Sequence, residues 1–236
     1  NSFDVVIEKS CLDALLCDEG DPWNPNEETR DNMEQSLNSI SNTVKVGDKN
    51  LSYSKAVICS GARASAPPIS GLKDVPYLTN ETLFSLTELP KRLGVIGAGP
   101  IGCEMAQTFA RFGSEVFLVE SQHGILPKED PDAGEIIGDA LKADGVHILG
   151  GGRELKVSKS NDGIHLKVDS KENGYDIVVD QVLVAVGRAP NVEGMNLEKV
   201  GAEYSKKGVK INDKFQTTNA RIYAAGDICS PYQFTH

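Results

Sequence analysis

Three glycines after a short apolar run carry the most specific chemical signal in the chain. Gly97, Gly99 and Gly102 have the G-x-G-x-x-G spacing that opens a helix in dinucleotide-binding folds. The first glycine permits a tight turn, the second lets the backbone approach a pyrophosphate, and the third lets helix and strand pack closely. Pro100 and Ile101 then begin the helix, whose first N–H groups face the phosphates. The chemistry predicted is dinucleotide binding.

An acidic residue follows these glycines at a sequence spacing that is typical of dinucleotide-binding folds. Glu120 lies 21 residues after Gly99, close to the spacing of the carboxylate that accepts hydrogen bonds from the adenosine ribose hydroxyls. A glycine turn that binds no dinucleotide is the alternative, because such turns are common. The elements around the motif therefore decide between the two interpretations.

These elements have the expected order. Ile101, Met105 and Phe109 recur at helical spacing, Gly113 stands where a glycine ends a helix, and residues 115–120 read as a strand. This order of strand, glycine turn, helix and second strand favours the dinucleotide interpretation.

The alternation continues along the chain. Asp130 as N-cap with Pro131 at the first helical position predicts a second helix that ends near Asp144, and Val146–Leu149 reads as a third strand. Strand–helix–strand–helix–strand is the half-unit of a doubly wound parallel sheet, so we expect an α/β fold. Residues 154–179 switch to a period of two with turns between them, which predicts a three-stranded antiparallel meander.

Other segments give shorter predictions. Residues 18–36 are acidic and poor in apolar side chains, which is typical of a loop. Residues 43–53 read as a hairpin and 55–59 as a buried strand. A short helix is expected within 79–89, and an apolar strand over 181–186.

Composition excludes several classes of partner. The chain has 236 residues, 39% of them hydrophobic, which suffices for a core. Its formal charge of −10, with no basic run, argues against nucleic acid or an anionic membrane surface as partner. No apolar stretch approaches the length of a bilayer span. The five cysteines have no metal-ligand or disulfide-framework spacing, so no metal site is predicted. The sequence does not indicate a cellular location.

Three motifs together resemble a known family. The runs GAGPIGCE, AVGRAPN and TTNARIYAAGD are similar to those of the pyridine nucleotide-disulfide oxidoreductases, flavoproteins that bind two dinucleotides. The resemblance covers about residues 55–236, and within the family the sequence is most similar to mercuric-reductase-like members. Dihydrolipoamide dehydrogenase is the alternative within the family.

The resemblance implies roles for residues that periodicity alone would not single out. Asp227 would hydrogen-bond the ribityl chain of FAD, Ser60 and Gly61 would lie against its dinucleotide moiety, and the backbone at Thr235 would face the isoalloxazine. Glu104 corresponds to the glutamate that pairs with a lysine beside the flavin N5. Its alternative role is that of an ordinary exposed acid stabilised by the helix dipole.

The resemblance also places residues around the nicotinamide coenzyme. Ala185 and Gly187 would border the nicotinamide ring. Glu120 is followed by 121–123, where NADPH-preferring relatives have arginines. A carboxylate about 5 Å from a 2′-phosphate costs several kcal/mol at an effective dielectric constant near 20, so we expect NAD(H) to be preferred over NADP(H). Arg153, the nearest downstream arginine, follows a different strand.

The domain organisation follows from the same resemblance. It implies a three-layer β/β/α Rossmann-like NAD(P)-binding domain over 92–213, with parts of an FAD-binding domain in 1–91, including a linker, and in 214–236. The family's first Gly-rich motif, its Cys-x4-Cys redox pair and its dimerisation domain do not occur in these 236 residues. We therefore expect the middle of a homodimeric enzyme.

In such an enzyme, hydride passes from NAD(P)H to FAD, and electrons continue to a small-molecule acceptor, either a disulfide or a metal ion. The chain by itself should be inactive and should not retain FAD. A different class of function is a stand-alone NAD-binding module whose meander edge serves as an interface.

Overall fold

The computed structural model describes residues 3–7, 36–38, 42–46, 48–121, 123–169 and 174–231. The chain divides into two compact units. One consists of the described residues up to Arg63 together with those from Arg188 onward, and the other is Ala64–Gly187.

The strands are β1 (Phe3–Ile7), β2 (Ser36–Asn38), β3 (Thr43–Val46), β4 (Lys49–Ile58), β5 (Ala62–Ala64), β6 (Arg92–Ile96), β7 (Glu115–Val119), β8 (His147–Leu149), β9 (Leu155–Ser160), β10 (Gly163–Val168), β11 (Tyr175–Val179), β12 (Gln181–Val184), β13 (Arg188–Pro190), β14 (Tyr204–Ser205), β15 (Gly208–Val209) and β16 (Ile222–Ala224). The α-helices in the described part are α1 (Pro100–Phe112) and α2 (Pro131–Ala143). Single 3-10 turns occupy Leu72–Asp74, Leu83–Ser85, Gly152–Glu154 and Gly226–Ile228.

The unit Ala64–Gly187 is built on a parallel sheet with the order β12-β6-β7-β8. The chain enters at β6, continues outward through β7 and β8, and returns on the other side of β6 as β12. The strand order therefore reverses between β6 and β12. In open α/β sheets, ligands bind at the carboxyl ends of the strands beside such a reversal.

Alternate residues of β6 face opposite layers. Leu93 and Val95 pack with the buried residues of α1 and α2, whereas Ile96 packs with the meander β9-β10-β11. Gly94 keeps the meander close, because a Cβ built there would lie 2.5 Å from Leu166 Cδ1. The result is a meander, a parallel sheet and a helical layer, which confirms the three-layer β/β/α prediction.

The predicted helix limits agree with the structure. α1 ends at Phe112, and Gly113 adopts a left-handed φ of 103°. α2 begins at Pro131 after the N-cap Asp130. These ends follow from proline at the first helical position and from glycine just past the last.

Two predicted elements are shorter than expected. The helix expected within 79–89 is the single 3-10 turn Leu83–Ser85. The Thr79 N–H donates to Thr82 Oγ1 and Ser85 Oγ donates to the Thr82 carbonyl, and such local side-chain bonds compete with an α-helix. The strand expected over 181–186 ends at Val184.

The other unit contains the strand order β1-β4-β3-β2, with β16 also pairing with β4. The first part of β4 forms the predicted antiparallel hairpin with β3, and its last part runs parallel to β1 and β16. The separate strand predicted over 55–59 is thus the continuation of β4. The predicted acidic loop 18–36 lies outside the described residues except for Ser36, which begins β2.

Candidate functional site

The loop after β6 lies at the reversal of strand order. Gly97 has φ 108°, its N–H donates to the Val119 carbonyl oxygen at 2.8 Å, and the Ala185 N–H donates to the Ile96 carbonyl oxygen at 2.8 Å. A Cβ on Gly97 would lie 2.6 Å from the Ala185 carbonyl oxygen. The loop is therefore held between the ends of β7 and β12, and its first position requires glycine.

The third glycine of the motif sets the distance between helix and loop. A Cβ on Gly102 would overlap the Gly97 carbonyl oxygen. Gly102 is also buried in the first turn of α1. Its role is close packing, as the spacing predicted.

The second glycine behaves differently. Gly99 is the N-cap of α1 with φ −77° and ψ −176°, a conformation open to any residue, and a Cβ there would meet nothing within 4 Å. The fold itself therefore does not require glycine at this position. The open space lies at the start of α1, where Ile101 and Gly102 present the first N–H groups because Pro100 has none. A pyrophosphate needs this kind of space beside backbone donors.

Glu120 lies at the same edge of the sheet. β6 and β7 are parallel with Ile96 opposite Val119, so the residues that follow them emerge side by side. The Gly124 N–H donates to Glu120 Oε2 at 3.0 Å and the Gly152 N–H donates to the Glu120 carbonyl oxygen at 2.8 Å. The structure thus brings the acid and the glycine loop together.

Sequence reasoning missed one feature near Glu120 and assigned another to a different place. The hydroxyl of Tyr175 is buried without a hydrogen-bond partner among the described residues. Burial first, and then the charge of Glu120, raise its pKa to about 12. Arg153 Nη2 lies 2.6 Å from His123 Nε2. The sequence assigned Arg153 to a different strand exit, but β7 and β8 are neighbours, so the two exits adjoin.

Glu104 is an exposed residue of α1 whose carbonyl oxygen accepts a hydrogen bond from Thr108 Oγ1 at 2.8 Å. The preceding residue, Cys103, is buried, and burial raises the pKa of its thiol to about 11. The thiolate, which is the reactive form of cysteine, is therefore disfavoured at Cys103.

Ser60 and Gly61 are fixed by a single asparagine in the unit that contains β4 and β16. Ser60 is 2% exposed, and its Oγ donates to the Asn191 carbonyl oxygen at 3.0 Å. Asn191 Nδ2 donates to the Ser60 carbonyl oxygen at 2.8 Å, and the Asn191 N–H donates to the Gly61 carbonyl oxygen at 2.9 Å. The motifs CSGA and GRAPN, far apart in sequence, form one clamp.

Asp227 lies in the 3-10 turn Gly226–Ile228, and its Oδ2 is 3.4 Å from Arg188 Nε. This Nε is buried without a hydrogen bond to the described residues, so the interaction is an ion pair. Arg188 Nη2 also donates to the Ala62 carbonyl oxygen at 2.6 Å. Sequence reasoning did not select Arg188, although an arginine two residues after the apolar run 181–186 can become buried, and a buried arginine needs a partner. Thr235 lies outside the described residues.

Within the unit Ala64–Gly187, the structure therefore groups the glycine loop, Glu120 and Ala185. Gly187 ends this unit, and its carbonyl oxygen accepts a hydrogen bond from the Ser65 N–H at 3.0 Å. Ser60, Gly61 and Asp227 belong to the other unit. Across the described ranges, no group of three or more His, Cys, Asp or Glu side chains could hold a metal ion. None of the helices described is long and apolar enough to cross a membrane.

Comparison with known proteins identifies the family of this chain. The family model "Pyridine nucleotide-disulphide oxidoreductase" matches residues 27–236. The chain is 40% identical over 195 residues to a mercuric reductase of Lysinibacillus sphaericus, an alignment that covers 82% of this chain and 36% of that protein. It is 38% identical over 151 residues to a dihydrolipoyl dehydrogenase of Thermus scotoductus, covering 63% of this chain and 33% of that protein.

A solved structure is similar over most of the chain. The Cu(II) complex of the HOCl-induced flavoprotein disulfide reductase RclA from Escherichia coli superimposes with a TM-score of 0.75 at 30% identity, covering 85% of this chain and 46% of that one. The chain thus spans about a third of the length of the curated relatives named above. The family match, together with the glycine loop at the strand-order reversal, shows that this chain belongs to the pyridine nucleotide-disulphide oxidoreductase family.

Proposed function

We propose that this chain is the nicotinamide-nucleotide-binding portion of a flavoprotein oxidoreductase that passes hydride from NAD(P)H to FAD and on to a disulfide or metal-ion acceptor. The observation that carries the proposal is the open space at Gly99. Glycine is not required there by the fold, yet the space lies at the N-terminus of α1 and at the edge where the strand order reverses.

Each group at this edge has a separate role. The backbone from Gly97 to Gly102 would hold the pyrophosphate, Glu120 would accept hydrogen bonds from the adenosine ribose hydroxyls, and Ala185 with Gly187 would border the nicotinamide ring. Gly97 and Ala185 are in direct contact, so the groups proposed for the pyrophosphate and for the nicotinamide ring adjoin at this edge. The NAD(P)-binding domain is proposed to extend over 92–213.

The remaining segments, 1–91 and 214–236, are proposed to belong to an FAD-binding domain. Ser60, Gly61, Asp227 and Thr235 would contact FAD, and Glu104 would support the lysine beside the flavin. When bound, FAD would accept the hydride from the nicotinamide and pass its electrons on to the acceptor. The Arg188 ion pair supports this role for Asp227, because it orients the carboxylate, and carboxylate oxygens accept hydrogen bonds from hydroxyl groups such as those of a ribityl chain.

The acceptor of the intact enzyme is proposed from the relatives. A mercuric-reductase-like acceptor is favoured by the identity of 40% over 82% of the chain. The dihydrolipoyl dehydrogenase similarity keeps a dithiol or disulfide substrate as the second candidate. The intact enzyme is proposed to be a homodimer, without nucleic-acid or membrane partners.

Titration of the purified chain with NADH and with NADPH tests the proposal. We expect both to bind and NADH to bind more tightly, because the Glu120 carboxylate repels a 2′-phosphate. The variant E120A should narrow the difference between the two dissociation constants by about tenfold, the effect of roughly 1.4 kcal/mol. Binding of neither coenzyme to the folded chain would contradict the proposed function, and tighter binding of NADPH would contradict the proposed preference.

A further inference from the structure

The turn after β8 folds back onto Glu120. The Gly152 N–H donates to the Glu120 carbonyl oxygen at 2.8 Å, and a Cβ on Gly152 would lie 2.8 Å from that oxygen and 3.3 Å from the Ser121 nitrogen. The 3-10 turn Gly152–Glu154 is therefore in direct backbone contact with the residues that follow β7. This contact places Arg153 at the proposed adenosine end of the site.

Arg153 is held there by His123. The two side chains are exposed, and Arg153 Nη2 lies 2.6 Å from His123 Nε2. A guanidinium can only donate, so this contact is a hydrogen bond from Arg153 to the ring nitrogen of His123. One of the five N–H donors of the Arg153 guanidinium is used in this positioning contact.

The positive charge of Arg153 is not paired with the carboxylate of Glu120. Among the described residues, the ion pairs do not include one between Arg153 and Glu120. Glu120 Oε2 instead accepts the hydrogen bond from the Gly124 N–H. A carboxylate suited to ribose hydroxyls and a guanidinium suited to a phosphate thus emerge from adjacent strand ends.

We infer that Arg153, positioned by His123, is a specificity-determining residue that receives the 2′-phosphate of NADPH. The inference rests on the proposed nicotinamide-nucleotide site and deepens it. Glu120 disfavours the 2′-phosphate and Arg153 offsets part of that repulsion. The site therefore accepts NADPH as well as NADH, with a smaller difference between them than Glu120 alone would impose.

The test compares dissociation constants of NADPH and NADH for the wild-type chain, R153Q, R153K and the charge-matched control K156Q. Lys156 is an exposed residue three positions along the chain, paired with Asp169. We expect R153Q to weaken NADPH binding by about tenfold or more, since a lost hydrogen bond to a charged group has about that effect. NADH binding should change less than about twofold, a difference under 0.5 kcal/mol. R153K should retain part of the NADPH affinity, and K156Q should match the wild type.

The ratio of the NADPH and NADH dissociation constants decides the assignment of Arg153. If this ratio is unchanged in R153Q, or changes equally in K156Q, the assignment is overturned while the coenzyme site stays in place. Failure of the wild-type chain to bind either coenzyme would overturn the proposed function and this inference with it. Raising the salt concentration should weaken NADPH binding more in the wild type than in R153Q, because exposed charge pairs are screened.

Discussion

The three glycines of the motif have different reasons to be glycine. At Gly97 the reason is a left-handed backbone pressed against Ala185, and at Gly102 it is contact with the Gly97 carbonyl. At Gly99 neither reason applies, since its backbone is extended and its surroundings are open. A substitution at Gly99 therefore separates ligand binding from folding.

We expect G99D to abolish or weaken NADH binding by about tenfold or more without lowering stability. Asp and Asn are favoured N-cap residues, so both G99D and G99N should fold at least as well as the wild type. The added carboxylate would stand in the space of a pyrophosphate and repel it. Calorimetric titration and thermal unfolding of the two variants measure both effects.

G99N is the matched control for charge, since it has the same shape as G99D. Weaker binding in G99D than in G99N would show that an anion occupies this space. Unchanged NADH affinity in G99D would contradict a pyrophosphate at Gly99.

At the scale of elements, the meander carries a titratable cluster beside its first turn. His165 on β10 has Nδ1 3.0 Å from Asp176 Oδ1, and Nε2 2.9 Å from Ser160 Oγ and 3.2 Å from Asp162 Oδ1. Asp176 first, and then Asp162, raise the pKa of His165 above its ordinary 6.5. Arg92 approaches the same turn by donating to the Asp162 carbonyl oxygen at 3.0 Å.

This cluster predicts a pH dependence of stability. The folded pKa of His165 is above the unfolded value, so its stabilising effect is complete below about pH 6.5 and is lost as the pH rises through the folded pKa. We expect the thermal unfolding midpoint to fall across that interval in the wild type. The slope should be smaller in H165Q and in D176N, measured by circular dichroism at several pH values.

The direction of the effect provides the check. If the unfolding midpoint of the wild type rises from pH 6 to pH 8 relative to that of H165Q, the ion pairs of His165 do not stabilise the meander. The magnitude should be small, because the cluster is exposed and exposed ion pairs are screened by salt.

At the scale of the whole molecule, the chain spans about a third of its curated relatives, and its G-x-G-x-x-G motif occurs once. The motif is part of the unit Ala64–Gly187, whereas Ser60, Gly61 and Asp227 are in the other unit. In the proposed arrangement the glycine motif holds the nicotinamide coenzyme, so these 236 residues contain no second glycine motif for the pyrophosphate of FAD. Affinity for FAD should therefore be low.

We expect the purified chain to be colourless and to show no NADH-dependent reduction of a disulfide or of Hg²⁺. Visible absorbance of the yellow flavin, before and after incubation with FAD and gel filtration, measures flavin retention. A yellow preparation with bound FAD would contradict this prediction. The NADH titration of the same sample is the control, because coenzyme binding is expected to survive without flavin.

The sequence by itself determined the local elements whose ends are marked by glycine or proline, or whose residues alternate with a clear period. Gly113 ended α1, Pro131 began α2, and the period-two pattern gave β9 to β11. The prediction of a helix within 79–89 was wrong, because hydrogen bonds around Thr82 favour a single 3-10 turn. These outcomes depend on the geometry of a few adjacent residues, which spacing and residue type encode directly.

Only the tertiary structure decided which distant residues meet. The neighbouring positions of β7 and β8 brought Arg153 to His123, and the clamp of Asn191 on Ser60 joined two segments that are 131 positions apart. The pairing of Arg188 with Asp227 arose in the same way. Strand order and packing set these contacts, and neither can be obtained from the periodicity of any one segment.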